Sequence, residues 1–235
     1  MTKTIRLVEI FGKQIAQGDY APGSALPSEA ELCERFSVSR NVMREVIKVL
    51  ATKRLIDAQP HRGLLVMPRE QWNYLDADVL SWALGKEEDP ELIRSLLDVR
   101  SLIEPTISRW AAERATAVDL VAIEAGFNAM KENCQDPHAF HEADIAFHKA
   151  ILAATHNVVI QQLSDAISAL QRTIFGKTFL TEAHHMELTI EEHRALFDAI
   201  WRKEPLLAEQ ASHKMVNRTE NRARKEKGSP VHQAA

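Results

Sequence analysis

The chain has 235 residues, 45% of them hydrophobic and 26% charged, the balance of a globular protein with length enough for two domains. No run of eighteen apolar residues is present, so no helical span of a membrane is expected. The two cysteines, Cys33 and Cys134, lack C-x-x-C spacing and exclude a disulfide framework or thiolate cluster; the expected location is the cytoplasm. Residues 1–70 hold 11 Lys and Arg against 8 Asp and Glu, whereas the whole chain holds 29 against 33. A mildly basic module joined to an acidic remainder suits a DNA reader attached to a part that does not touch DNA.

Apolar residues at Ile5, Leu7, Val8, Ile10, Phe11, Ile15 and Ala16 recur at helical spacing and predict a helix over 4–18. Gly18 and Tyr20-Ala21-Pro22-Gly23 close it. Ser28 with Glu31 three residues on is a capping box, opening a short helix that ends near Phe36. Ser37-Val38-Ser39 reads as a tight turn, and Ser39 caps a third helix running to about Lys53. Two short helices about such a turn form a helix-turn-helix. Leu55–Gln59 and Leu64–Met67 flank Pro60-His61-Arg62-Gly63 and read as a β-hairpin, a wing. Pro68 to Tyr74 carries no clear period. Beyond Leu75, helices are expected over 76–84, 90–114, 117–133, 137–155, 158–175, 187–202 and 205–226. Asp119, Asp136 and Asn157 stand at capping positions, and Pro205 suits a first helical turn. The expected fold class is mainly α. A winged helix-turn-helix over 1–67 and a linker over 68–75 precede an all-α helical bundle over 76–226; a disordered tail follows over 227–235.

Within the third helix, Arg40 and Arg44 are four apart and share a face, with Asn41 beside them. A recognition helix puts its N-terminal residues against base edges in the major groove. There Arg pairs with guanine O6 and N7, and Asn with adenine N6 and N7. At the wing, Gly63 permits a close turn, and His61 and Arg62 are placed for a minor groove or a phosphate. The alternative is that both arginines are solvated charges. The strings Pro22-Gly23-x-x-Leu26-Pro27-Ser28-Glu29-x-x-Leu32, Val38-Ser39-Arg40-x-x-x-Arg44-Glu45, Leu55-Ile56 and Arg62-Gly63 resemble the GntR family of bacterial repressors over residues 5–67. That resemblance implies DNA contacts at Arg40, Arg44 and the Arg62-Gly63 tip, and a homodimer on a palindromic operator. Ala30 departs from the family pattern, standing where members often carry Arg.

The helical part offers its own chemistry. Asp144 and His148 are i, i+4 on one helix, and His193 lies on another; together they can hold one divalent ion. Neutral imidazole and carboxylate suit zinc first, with manganese, nickel or iron also compatible. The alternative makes each histidine a satisfied core or surface residue. Arg100 lies on a mostly apolar face, where an unpaired charge is costly. It needs either a carboxylate ligand or an internal pair with Glu104, and Arg172 is a further candidate for the ligand. Thr189, four before His193, is placed for a hydroxyl. His138, His141, His184 and His185 read as solvated. Leu97-Asp98-Val99-Arg100-x-x-x-Glu104-Pro105, Asp144-x-x-x-His148 and Glu192-His193 followed by Ala199-Ile200 resemble the FCD effector domain of the FadR subfamily over about 90–215. The resemblance supports metal binding by Asp144, His148 and His193, and effector binding at Arg100. Met215 stands where many members carry a further His, and His213, some 200° around the helix from it, is expected to face elsewhere.

Strings outside these motifs, among them Gln71-Trp72-Asn73-Tyr74-Leu75-Asp76 and Leu196-Phe197-Asp198-Ala199-Ile200, extend the resemblance to family members that repress sugar-acid operons. They imply a small carboxylate effector of the aldonate class, D-galactonate first. Two rival readings are a metal-dependent enzyme with a DNA-binding appendage, for which no nucleophile motif or further general base is found, and a DNA-binding structural protein without an effector.

Overall fold

The computed structural model describes residues 2–59, 63–85, 89–164, 167–168 and 183–225. It divides into two compact units, Met1–Pro90 and Glu91–Ala235. The first contains α1 (Lys3–Ala16), α2 (Glu29–Phe36), α3 (Arg40–Thr52), the strands β1 (Ile56–Gln59) and β2 (Gly63–Val66), a single 3-10 turn (Arg69–Gln71) and α4 (Ala77–Ala83). The second contains α5 (Pro90–Arg114), α6 (Ala117–Glu132), α7 (Pro137–Ala154), α8 (Val158–Gln161), α9 (Ala183–Trp201) and α10 (Pro205–Lys225). The chain is mainly helical, with a winged helix-turn-helix at its N-terminal end and a helical domain after it.

In the first unit, Ser28 accepts from the Glu31 amide while Glu31 reaches back to the Ser28 amide at 2.8 Å, the predicted capping box. Ser37 ends α2 in the left-handed region at φ 50° and turns the chain toward Ser39, which caps α3. Phe11, Ile15, Leu32, Met43, Val46, Leu50 and Leu55 form a sealed core between these helices. On α3, Met43, Val46 and Leu50 are fully buried, and Val42 and Val49 flank them half-buried. β1 and β2 pair antiparallel from Ile56–Val66 to Gln59–Gly63. Gly63 opens β2 at φ 78°, a backbone state that glycine adopts without penalty.

Two features were not legible beforehand. Residues 23–26 join the wing through backbone alone, with Gly23 donating to Val66 and Leu26 to Leu64, at 2.9 and 2.8 Å. The segment expected as a linker is fastened down. Trp72 is 5% exposed and its indole donates to the Met67 carbonyl at 2.9 Å. Val79 and Trp82 of α4 complete the same core. Trp82 lies so close to α1 that a Cβ on Gly12 would stand 2.3 Å from its ring. Lys53, the C-cap of α3, reaches Asp76 at 2.7 Å and Asp78 at 2.9 Å, and sits 5.6 Å from the Trp82 ring centre. Asp76 also caps α4. The expectation that residue 76 opens the helical domain therefore differs from the packing, which joins α4 to the first unit.

The second unit follows the predicted helices within a few residues, except the one over 158–175, where α8 already ends at Gln161 with Gln162 as its C-cap. Thr116, rather than Asp119, is the N-cap of α6; Asp119 is the third residue of a second capping box. Asp136 and Asn157 cap α7 and α8 as expected. The α6–α7 seam is close because Gly126 has no side chain: a Cβ there would lie 2.7 Å from the Phe147 Cα. Phe127 stacks on Phe197 of α9 at 5.3 Å, and Phe140, Phe147, Ile123 and Met130 are fully buried beside them. Half of the expected helix over 158–175, and the tail after Lys227, lie outside the described residues.

Candidate nucleic-acid interface and metal centre

The N-terminal turn of α3 carries Arg40, Asn41 and Arg44, all exposed, opposite the buried Met43–Val46–Ile47–Leu50 stripe. Among the described residues Arg40 has no carboxylate partner. Arg44 is held: its Nε donates to both Glu29 oxygens, at 3.0 and 3.3 Å. A groove lined by Glu29, Arg44, Ile47, Lys48, Ala51 and Thr52 runs from α3 to Ala58 and Leu64 of the wing. Gly63 is exposed at the start of β2. His61 and Arg62, expected at the wing tip, lie outside the described residues.

In the second unit, α7 presents Asp144 and His148 on one face and α9 brings His193 against them. The Asp144 Oδ1 lies 2.9 Å from His193 Nε2 and 3.5 Å from His148 Nε2, and the two Nε2 atoms are 3.3 Å apart. His193 is 4% exposed. Its Nδ1 is 2.7 Å from the Thr189 carbonyl, which can only accept, so Nδ1 carries the proton. In the neutral ring Nε2 is then a lone pair aimed at a carboxylate oxygen. Two acceptors at 2.9 Å require a cation between them, either a proton or a metal. Burial alone raises the Asp144 carboxyl, but hydrogen bonds from His148 and His193 outweigh it and hold Asp144 well below the usual carboxylate range. Burial alone depresses His193, and the Asp144 carboxylate reverses that and raises it. The donor set fits a divalent ion: ligands about 2.0–2.2 Å from one centre stand about 3 Å apart, and the carbonyl-fixed tautomer is the one that metal-bound imidazoles adopt.

Arg100 is 6% exposed and paired with Glu104 at 2.5 and 3.1 Å, the internal alternative to a carboxylate ligand. Burial disfavours its charge, yet Glu104, with the Asp144 carboxylate behind it, holds the guanidinium pKa above its ordinary value. Arg100 is thus within electrostatic reach of the triad. The hydroxyl of Thr189 accepts from Arg218 at 2.8 Å, and Arg218 also meets Glu192 at 3.1 Å. These partners of Thr189 were not foreseen. Nor were Ser108 and Ser212, both buried, which line a cavity with Glu104, His148, Ile151 and Leu152. A signal for Ser108 was present: Arg100, Glu104 and Ser108 are polar at i, i+4 and i+8 on a stripe that otherwise reads as core.

His141 corrects an expectation. The sequence alone suggests a solvated side chain, yet it is 8% exposed, because it precedes Asp144 by three and His148 by seven residues and shares their inward face. His138 is exposed as expected. Met215 is buried in the core of this unit, and His213 is exposed and bonded to the Asn217 side chain at 2.7 Å. Arg172, and the side chains of His184 and His185, lie outside what the structure describes.

Residues 6–66 match the model of the bacterial regulatory proteins of the gntR family, and residues 95–218 match the FCD domain. The galactonate operon transcriptional repressor of Escherichia coli K12 is 53% identical over 216 residues, 92% of this chain and 94% of that protein. The uncharacterized HTH-type transcriptional regulator YieP of the same strain is 33% identical, over 83% of this chain and 84% of its own length. Among solved structures, Lar, which controls the Listeria monocytogenes agr system, superposes with a TM-score of 0.67 at 16% identity, covering 96% of this chain and 98% of that one. That likeness shows the fold.

Proposed function

The chain belongs to the GntR family of bacterial regulatory proteins, as a DNA-binding transcriptional regulator with an FCD effector domain, and from this premise we propose that it represses a sugar-acid operon and is released by an aldonate, D-galactonate first. The observation that carries the reading is the 53% identity with the galactonate operon repressor, sustained over both units. The protein acts in the cytoplasm as a homodimer, placing two α3 helices in successive major grooves of a palindromic operator. Arg40, Asn41 and Arg44 read base edges, and His61, Arg62 and Gly63 bring the wing to the backbone or minor groove.

In the FCD domain, Asp144, His148 and His193 hold a divalent ion, zinc first, with manganese, nickel or iron as alternatives. The bound ion supplies a Lewis-acidic centre for the carboxylate and hydroxyl oxygens of a sugar acid. Arg100 has two donors taken by Glu104 and offers its remaining nitrogen to the effector carboxylate. Thr189 orients His193 through its carbonyl and serves a sugar hydroxyl with its side chain. The relatives are transcriptional regulators, and no step of turnover is assigned. The effector shifts DNA affinity only by its differential affinity for two arrangements of the protein.

The test is operator binding by fluorescence anisotropy at fixed salt, because phosphate contacts make affinity salt-dependent. DNA from upstream of the chain's own reading frame is titrated, then challenged with D-galactonate and related sugar acids. Release by D-galactonate alone is the expected result. Release by another acid changes the effector but keeps the regulator; tight binding that no acid disturbs overturns the assigned pocket.

A further inference from the structure

We propose that Glu29 is a positioning residue for DNA reading: it grips the Nε edge of Arg44 so that the Nη1/Nη2 end of the guanidinium faces the base edges. The inference rests on the reading of α3 as the recognition helix. Glu29 opens α2 and Arg44 lies in α3, so the pair spans the two halves of the helix-turn-helix. Both Glu29 oxygens accept from the same Nε, at 3.0 and 3.3 Å.

Stability does not account for this pair. The Arg44 side chain is 65% exposed and that of Glu29 33%, and ion pairs so solvated contribute little. Electrostatics argue against it. A carboxylate on a DNA-facing surface is repelled by phosphates and weakens sequence-independent binding. What the pair does supply is direction. A free arginine samples many rotamers; one fastened at Nε loses its side edge and keeps the end-on fork, which matches guanine O6 and N7. Arg40, one turn earlier and without such a partner among the described residues, is left adaptable. With alanine at position 30, a correctly aimed Arg44 carries more of the discrimination.

The proposal differs in sign from simple charge removal. Affinities for the upstream operator duplex and a shuffled duplex of equal length are measured for wild type, Glu29→Ala, Glu29→Gln, Arg44→Ala and Glu29→Ala/Arg44→Ala, with thermal unfolding verifying that each variant is folded. Glu29→Ala is expected to lose about tenfold in the operator-to-shuffled ratio, the scale of one lost bidentate contact, while the shuffled duplex binds as well or better. Glu29→Gln retains an oxygen for Nε and restores most of the ratio. The double variant matches Arg44→Ala alone, because Glu29 acts through Arg44. Equal tightening on both duplexes in Glu29→Ala, or additive losses in the double variant, overturns the proposal. A wild-type protein that binds both duplexes alike overturns the operator reading itself, and this proposal with it.

Discussion

Arg100 and Glu104 stand four residues apart on α5, each less than a tenth exposed, and each neutralises a charge the interior does not otherwise tolerate. Removing one partner strands the other. Arg100→Met is expected to destabilise the folded protein by about 3–5 kcal/mol, whereas Arg100→Met/Glu104→Leu lies near wild type; urea unfolding of the three proteins checks this. An Arg100→Met variant as stable as wild type contradicts the buried pair. At the neighbouring triad, zinc at a hundred times its dissociation constant is expected to stabilise by about 2.7 kcal/mol, several degrees in Tm. Chelation reverses the shift and Asp144→Asn abolishes it, since the amide no longer offers an anionic ligand. A shift that survives in Asp144→Asn places the ion elsewhere. Arg100, Asp144, His148 and His193 were legible as chemistry because charged and imidazole side chains are rare on core-facing stripes. Glu192–Arg218 was not: nothing in the spacing of α9 and α10 shows which of their charges meet across the seam.

Helix by helix, periodicity and caps carried the reading, because both are local: a stripe every 3.6 residues and an oxygen three residues before an orphan amide. The strand-like segment at 23–26 had no such mark, since its bonds to the wing are main chain to main chain and its side chains follow no alternation. The α6 capping box makes a test at this scale. Slight burial opposes ionisation of Asp119, but hydrogen bonds from the Thr116 hydroxyl and amide, with His156 at 2.8 Å, hold its carboxyl below the ordinary value. A carboxyl lowered in the folded state stabilises above its unfolded pKa, near 3.9, and loses that contribution as pH falls through the folded value. Asp119→Asn is therefore expected to cost about 1 kcal/mol at pH 7, with the gap to wild type narrowing below pH 4; unfolding curves at pH 7 and pH 3 decide it. A gap that widens on acidification has the wrong sign. On the same helix, Gly126→Ala drives a methyl into the Phe147 backbone. The expected loss is about 1–3 kcal/mol, the cost of overpacking a tight seam, visible as a lower Tm.

For the whole molecule, charge marked only residues 1–70 as mildly basic, since the first unit out to Pro90 holds 12 Lys and Arg against 13 Asp and Glu; the proposed two-fold operator reading yields a simple expectation. A duplex carrying one half-site binds far more weakly than the full palindrome, and sedimentation finds two chains on the latter; equal affinity for both duplexes contradicts a dimer. What charge and periodicity concealed was the end of the first module, because the contacts that define it are made across the chain: Trp72 to Met67, Trp82 to Gly12, Lys53 to Asp76 and Asp78. They bear on how this protein can be cut. A fragment ended after the wing, at residue 67, discards Trp72, Val79 and Trp82, each worth about 1.5–3 kcal/mol of apolar burial. Their sum rivals the net stability of a small domain. Such a fragment opens the floor of its own core and leaves the Lys53 ammonium without either carboxylate. Extending the cut to residue 85 restores all of these contacts, so the smallest piece that stands alone for spectroscopy or crystallisation is longer than its sequence motif, and the helix that leaves the reader is also its keystone.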